Sequence, residues 1–118
     1  TYAIKLKVVT AQGEVIGDPM DSFGGGPVNI TAFLFRVLMI HRFKLARLMV
    51  LDETFNNVSR EYLRAVSSLL KTLVEDHGYQ ILAVTHQPEL AAQATKAYRV
   101  GGEIGEPTLH CLTVGEEA

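Results

Sequence analysis

The sequence has one cysteine, Cys111, so no internal disulfide is possible. With no second thiol and a strand-like setting, it reads as a small core residue rather than a reactive group. An excess of charge of one sign is missing too. Eleven Lys and Arg against 13 Asp and Glu leave a formal net charge of -2, so bulk charge argues neither for nor against nucleic acid as a partner. The densest basic stretch, residues 41–47, reads as a solvated connection between two elements. Long apolar runs are absent. The longest, residues 30–40, is interrupted by Arg36 and is too short to span a bilayer. There is no signal peptide, no internal repeat and no low-complexity tract. A soluble, cytoplasmic or nucleoid-associated chain with no membrane partner is expected.

What is present describes a folded α/β unit. A content of 47% hydrophobic and 20% charged residues is globular rather than disordered, and 118 residues make one domain or part of one. The chain begins at Thr1, as a processed, trimmed or excised piece of a longer protein does. Residues 2–9 alternate as a half-buried strand, residues 11–14 turn, and residues 14–17 return, predicting a β-hairpin. A glycine-rich loop over residues 18–26 leads to Pro27, placed as the first residue of a helix running to about His41. That helix is apolar on nearly every side, which predicts burial. Residues 48–51 form a continuous apolar run, the pattern of a strand covered on both faces. An amphipathic helix follows over residues 59–77, with Ser59 as N-cap and Gly78 as stop. Residues 81–84 are a second buried strand. A short helix over 88–93, a strand over 97–100, a turn over 101–107 and a weak strand over 108–114 complete the chain. Strand, helix, strand, helix, strand from Leu48 onward is the order of a parallel sheet with crossover helices.

Ligands of open parallel sheets collect at the carboxyl ends of the strands. Here one strand ends in Asp52-Glu53 and the next in Thr85-His86. Adjacent residues leaving a strand point in different directions, so one carboxylate can hold a metal while the other faces a water. Mg²⁺ keeps several waters and needs few protein oxygens. His86 can stabilise charge on a terminal phosphate. Taken singly, Asp52-Glu53 reads more readily as a capped loop start and His86 as a structural histidine; at successive strand ends one helix apart, the three together point to chemistry. The run Gly24-Gly25-Gly26-Pro27 is either a hinge or an anion-binding loop whose N–H groups and following helix point at a phosphate.

In this order the motifs resemble the C-terminal lobe of ABC-type ATPase heads, especially the SMC, SbcC and RecF-like group of DNA-repair and chromosome-maintenance proteins. The resemblance covers about residues 21–100. It implies a P-loop NTPase-like α/β lobe with a mostly parallel sheet flanked by helices and an N-terminal hairpin. The chain is then one domain, with residues 1–26 as hairpin and signature loop, 27–100 as signature helix, Walker B, D-loop and switch region, and 101–118 as terminal strand and tail. Asp52 takes the place of the Walker B carboxylate that binds Mg²⁺ through water, and Glu53 that of the base for the attacking water. Asn56 to Ser59, including Asn57, match the D-loop, and His86 the switch histidine. Gly24, Gly25 and Gly26 match the signature loop that caps ATP on the opposite head. Departures from the family pattern are clear. Gly24 stands where the signature serine belongs, and Ser22 lies two residues early. Ser59 occupies the D-loop aspartate position, and Thr54 replaces a proline.

No Gly-x-x-x-x-Gly-Lys-[Ser/Thr] occurs in the chain, so the grip on the β- and γ-phosphates must come from another segment. The resemblance therefore implies an ATPase acting on ATP with Mg²⁺ at a composite site, inactive in isolation. Its partners are an N-terminal Walker A lobe of the parent protein and a second head in a nucleotide-dependent dimer. DNA is reached through the full complex, with a nuclease subunit as a further candidate. Two other classes stay open: a non-catalytic dimerisation module and a nucleotide-binding domain of a transporter.

Overall fold

A computed structural model describes residues 6–10, 12–17 and 25–112. The expected positions Ser22 and Gly24 lie outside the described residues, as does the first part of the predicted opening strand. The chain divides into two compact units, residues 1–46 with 55–59, and residues 47–54 with 60–118.

In the first unit, β1 (Leu6–Thr10) and β2 (Gly13–Gly17) form the expected antiparallel hairpin, Thr10 pairing with Gly13. Lys7 and Glu14 form an ion pair across it at 2.9 Å. Helix α1 (Gly25–Arg42) begins earlier than the sequence pattern suggests, so Gly25 and Gly26 make its first turn instead of a loop. Pro27 still falls where a helix has no internal use for an N–H. The expectation that α1 is buried does not hold. Within the described residues only Phe33 is fully covered, while Leu34, Phe35 and Leu38 are exposed. The helix is apolar on nearly every side, but the unit supplies cover for one stripe only. Phe33 meets Phe55 edge to face, ring centroids 5.3 Å apart, and Val58 completes this small core. At the C-terminal end of α1, Lys44 adopts φ 52° while Leu45 N–H donates to Ile40 O and Lys44 N–H to His41 O. These bonds close the helix as a Schellman motif. Residues 41–47 are exposed and run from the last turn of α1 to the residue before β3, the solvated connection expected of them.

The second unit is built on β3 (Leu48–Asp52) and β4 (Gln80–Val84), a parallel pair joined by α2 (Arg60–Glu75). Leu63, Val66, Leu73 and Ser67 are the buried stripe of α2, and Met49, Leu51 and Tyr79 are buried with them. Gly78, at φ 66°, reverses the chain after α2, and Tyr79 N–H donates back to Leu73 O. Arg47 ties this reversal to β3: its guanidinium donates to His77 O and stands over the Tyr79 ring. β3 is covered on one face, not two. Met49 and Leu51 face inward, whereas Leu48, Val50 and Asp52 are exposed, and so are Leu82 and Val84 on β4. The reason is composition of the unit: one helix packs along this sheet, and a sheet needs layers on both sides to bury both faces.

Parallel pairing stops at β3 and β4. After the one-turn α3 (Pro88–Ala91), β5 (Ala97–Glu103) pairs antiparallel with β6 (Glu106–Leu112). The α/β class and the hairpin stand, but among the described residues the mostly parallel sheet is replaced by three two-stranded sheets, one of them parallel. The long turn expected over residues 101–107 contracts to Ile104-Gly105, because Gly102 and Gly105 take φ 100° and 96° and let the strands run on. Cys111 is exposed on β6, contrary to the core position expected of it. β5 and β6 form a ribbon with little laid across it, so strand alternation there does not translate into burial.

Candidate functional site

In the second unit the carboxyl ends of β3 and β4 lie side by side, Asp52 paired in register with Val84. Glu53 N–H donates to Val84 O at 2.9 Å, carrying the ladder one bond past the strand. At that point Glu53 takes φ 48°, a left-handed conformation that costs a non-glycine residue about 1–2 kcal/mol. Such strain persists where the surroundings over-determine it, and it clusters at sites that work. Its effect is to part the two acids. Asp52 stays on the bare, solvent-facing side of the sheet with Leu48 and Val50, while Glu53 is turned toward the end of β4.

There it meets His86. The Nδ1 of His86 lies 3.0 Å from Glu53 Oε1. An ionised carboxylate only accepts, so the imidazole carries its proton on Nδ1 and leaves Nε2 directed elsewhere. The His86 side chain is 71% exposed, that of Glu53 34%. The second oxygen, Glu53 Oε2, is buried and has no hydrogen-bond partner among the described residues. Around His86 the backbone is held on its C-terminal side: Gln87 N–H donates to Thr85 Oγ1 at 3.0 Å, and Gln87 O accepts from Leu90 and Ala91. A carboxylate bonded to an imidazole, with one oxygen left over, can hold and orient a water for attack on an electrophile. Asp52 beside it, exposed, can hold a hydrated cation. No group of three or more metal-ligating side chains exists among the described residues.

In the first unit, Gly25 and Gly26 meet Asn57. A Cβ on Gly25 would lie 2.9 Å from Asn57 Nδ2, and one on Gly26 2.6 Å from Asn57 O. The absence of side chains at these two positions is therefore used by the close approach of the segment around Asn57. Ser59 is exposed, immediately before α2. Two features were not read from the sequence. The left-handed Glu53 has no residue-type signal, and the ion pair between Arg60 Nε and Glu89 Oε1, 2.7 Å, joins residues from the start of α2 and from α3 with no periodicity to link them.

The chain is 34% identical over 98 residues to structural maintenance of chromosomes protein 3 of Arabidopsis thaliana, a match covering 82% of this chain and 8% of that protein. This chain belongs to the SMC family. The SMC-like segment also shares its fold with solved heads at 22% identity. One, from work on ATP-driven dimerization and DNA-stimulated activation of SMC ATPases, superposes with a TM-score of 0.71 over 85% of this chain and 60% of its own. An Smc head domain with a coiled coil and joint from Pyrococcus yayanosii gives 0.71 over 93% and 20%. An Smc head bound to the C-winged helix domain of ScpA gives 0.68 over 87% and 33%. No family model matches. The SMC-like chain thus spans a small part of its curated relative and less than two thirds of each solved head. None of its described helices is long and apolar enough to cross a membrane.

Proposed function

We propose that this chain is the C-terminal lobe of an SMC-type head, supplying the hydrolytic half of a composite ATP site whose turnover opens and closes a head dimer. The observation that carries it is the 3.0 Å bond between His86 Nδ1 and Glu53 Oε1 at the carboxyl end of a parallel strand pair. In this reading Glu53 holds the attacking water through its unbonded Oε2 and takes its proton. His86 fixes the carboxylate's orientation through Nδ1 and presents Nε2 toward the γ-phosphate. Asp52 would hold Mg²⁺, which would supply positive charge to the phosphates. Asn57 and Ser59 serve as the D-loop. Gly24, Gly25 and Gly26, with Ser22 nearby, serve as the signature that caps the nucleotide of the second head. Because Gly25 and Gly26 lie in the first turn of α1, they offer that nucleotide free backbone N–H groups and a helix N-terminus.

The Walker A lobe comes from another segment of the parent protein, and its layer covers the bare face of β3 and β4. DNA is the partner of the assembled protein, in repair, recombination or chromosome organisation.

The test joins this chain to the Walker A lobe and measures ATP turnover and dimerisation. Glu53→Gln lowers turnover by about a hundredfold or more, leaves ATP binding intact and accumulates the ATP-bound dimer. Turnover unchanged in that variant would remove Glu53 from the hydrolytic role.

A further inference from the structure

The segment that presents His86 is short of local support. α3 has four residues, one turn, and an isolated turn has no stability of its own. Its backbone bonds reach Gln87 but not His86, whose ring is exposed. What holds α3 must therefore come from outside it. α3 packs on α2, and the polar part of that contact is Glu89, which receives Arg60 Nε at 2.7 Å. The Glu89 side chain is 16% exposed against 80% for Arg60, so the carboxylate is the enclosed member and the guanidinium reaches to it. Enclosure matters here, because an ion pair open to water on both sides constrains little. Arg60 is the first residue of α2, and Glu89 the second residue of α3, three positions after His86.

We infer that Arg60 and Glu89 are a positioning pair: by pinning α3 to the start of α2 they hold the His86 ring where its Nδ1 bonds Glu53. Neither residue touches the reacting groups; both act through the turn Thr85-His86-Gln87. The pair sets how much of the time Glu53 is oriented, and so how fast an assembled site turns over. The inference presupposes that Glu53 and His86 form the hydrolytic pair, and its test is chosen to fail separately from that role.

The experiment labels the histidine rings of the full chain with ¹⁵N and records two-bond ring correlations, which distinguish a proton on Nδ1 from one on Nε2, with amide exchange in α2 as the control for folding. The unaltered chain shows His86 protonated on Nδ1. Glu89→Gln and Arg60→Gln each cause loss of that preference, with α2 protection retained. The exchanged pair, Arg60→Glu with Glu89→Arg, restores it; the acid then sits at a helix N-terminus, where it is favoured. Unchanged His86 ring signals in Glu89→Gln would overturn the inference. So would loss of α2 protection in either single variant, which makes the pair a plain structural tie. If instead Glu53→Ala leaves the ring signals unaltered, the Glu53–His86 bond itself is absent, and the proposed hydrolytic pair fails along with its positioning.

Discussion

Two glycines in succession at the start of α1 can be there for a ligand or for a neighbour, and the contacts differ enough to separate the two roles. At Gly26 an added Cβ would meet the backbone carbonyl of Asn57 at 2.6 Å, whereas at Gly25 the nearest atom is the Asn57 side-chain nitrogen at 2.9 Å. A side-chain amide can rotate away; a carbonyl moves only with its strand of chain. Gly26→Ala is therefore expected to destabilise the fold by about 1–3 kcal/mol, and Gly25→Ala by clearly less. Thermal or denaturant unfolding measures both. Asn57→Ala removes the 2.9 Å amide contact at Gly25 but keeps Asn57 Cβ at 3.2 Å, so it lowers the cost at Gly25 and leaves that at Gly26 whole, since the carbonyl stays. Equal costs at the two positions, or relief at both, would contradict this geometry. At this scale the sequence was partly legible. Asp52, Glu53 and His86 stood out because polar groups ended apolar runs. The bond between Glu53 and His86 did not, because it depends on the left-handed φ of Glu53 and on strand register.

Elements were legible where their signals are local. The hairpin, the two parallel strands and α2 with its Gly78 stop follow from alternation, apolar runs and one amphipathic stripe. What was misread depended on neighbours: which faces of α1, β3 and β4 are covered, and whether β5 joins the parallel sheet or pairs with β6. Periodicity reports a face's character, not what lies against it. α1 ends at Arg42, within one residue of the position its sequence indicates, but the way it closes has no sequence signal. Glycine marks a Schellman closure, and here Lys44 occupies its left-handed position at φ 52°. Relieving the Cβ clash is worth about 1–2 kcal/mol, and the added chain entropy of glycine takes back about 0.5–1 kcal/mol. Lys44→Gly is thus expected to stabilise α1 by up to about 1.5 kcal/mol, read as a raised unfolding midpoint with an unchanged m-value. A lowered midpoint would mean that the Lys44 side chain makes a contribution its exposure does not suggest.

For the molecule as a whole, the decisive mismatch is between strand type and cover. Parallel strands ordinarily have both faces buried, yet Val50 and Leu82 are 61% and 62% exposed on the face that also carries Asp52. In the proposed function, this apolar sheet face with a candidate metal ligand at its rim is the surface that the phosphate-binding lobe covers. The sequence states the same deficit chemically, because it lacks the Gly-x-x-x-x-Gly-Lys-[Ser/Thr] needed to grip the β- and γ-phosphates. Both deficits predict one behaviour. Alone, the chain binds ATP weakly, hydrolyses it negligibly and binds a dye specific for apolar surface. Adding the Walker A lobe quenches the dye signal and brings ATP turnover together, because one layer covers the sheet and supplies the phosphate grip. Val50→Asp, which places a charge in the middle of the bare face, prevents both without unfolding α2, since Val50 contributes nothing to the covered side. Turnover by the chain alone that Glu53→Gln abolishes would show that the site is complete within these residues. Val50→Asp assembling as well as the unaltered chain would show that the second lobe sits elsewhere.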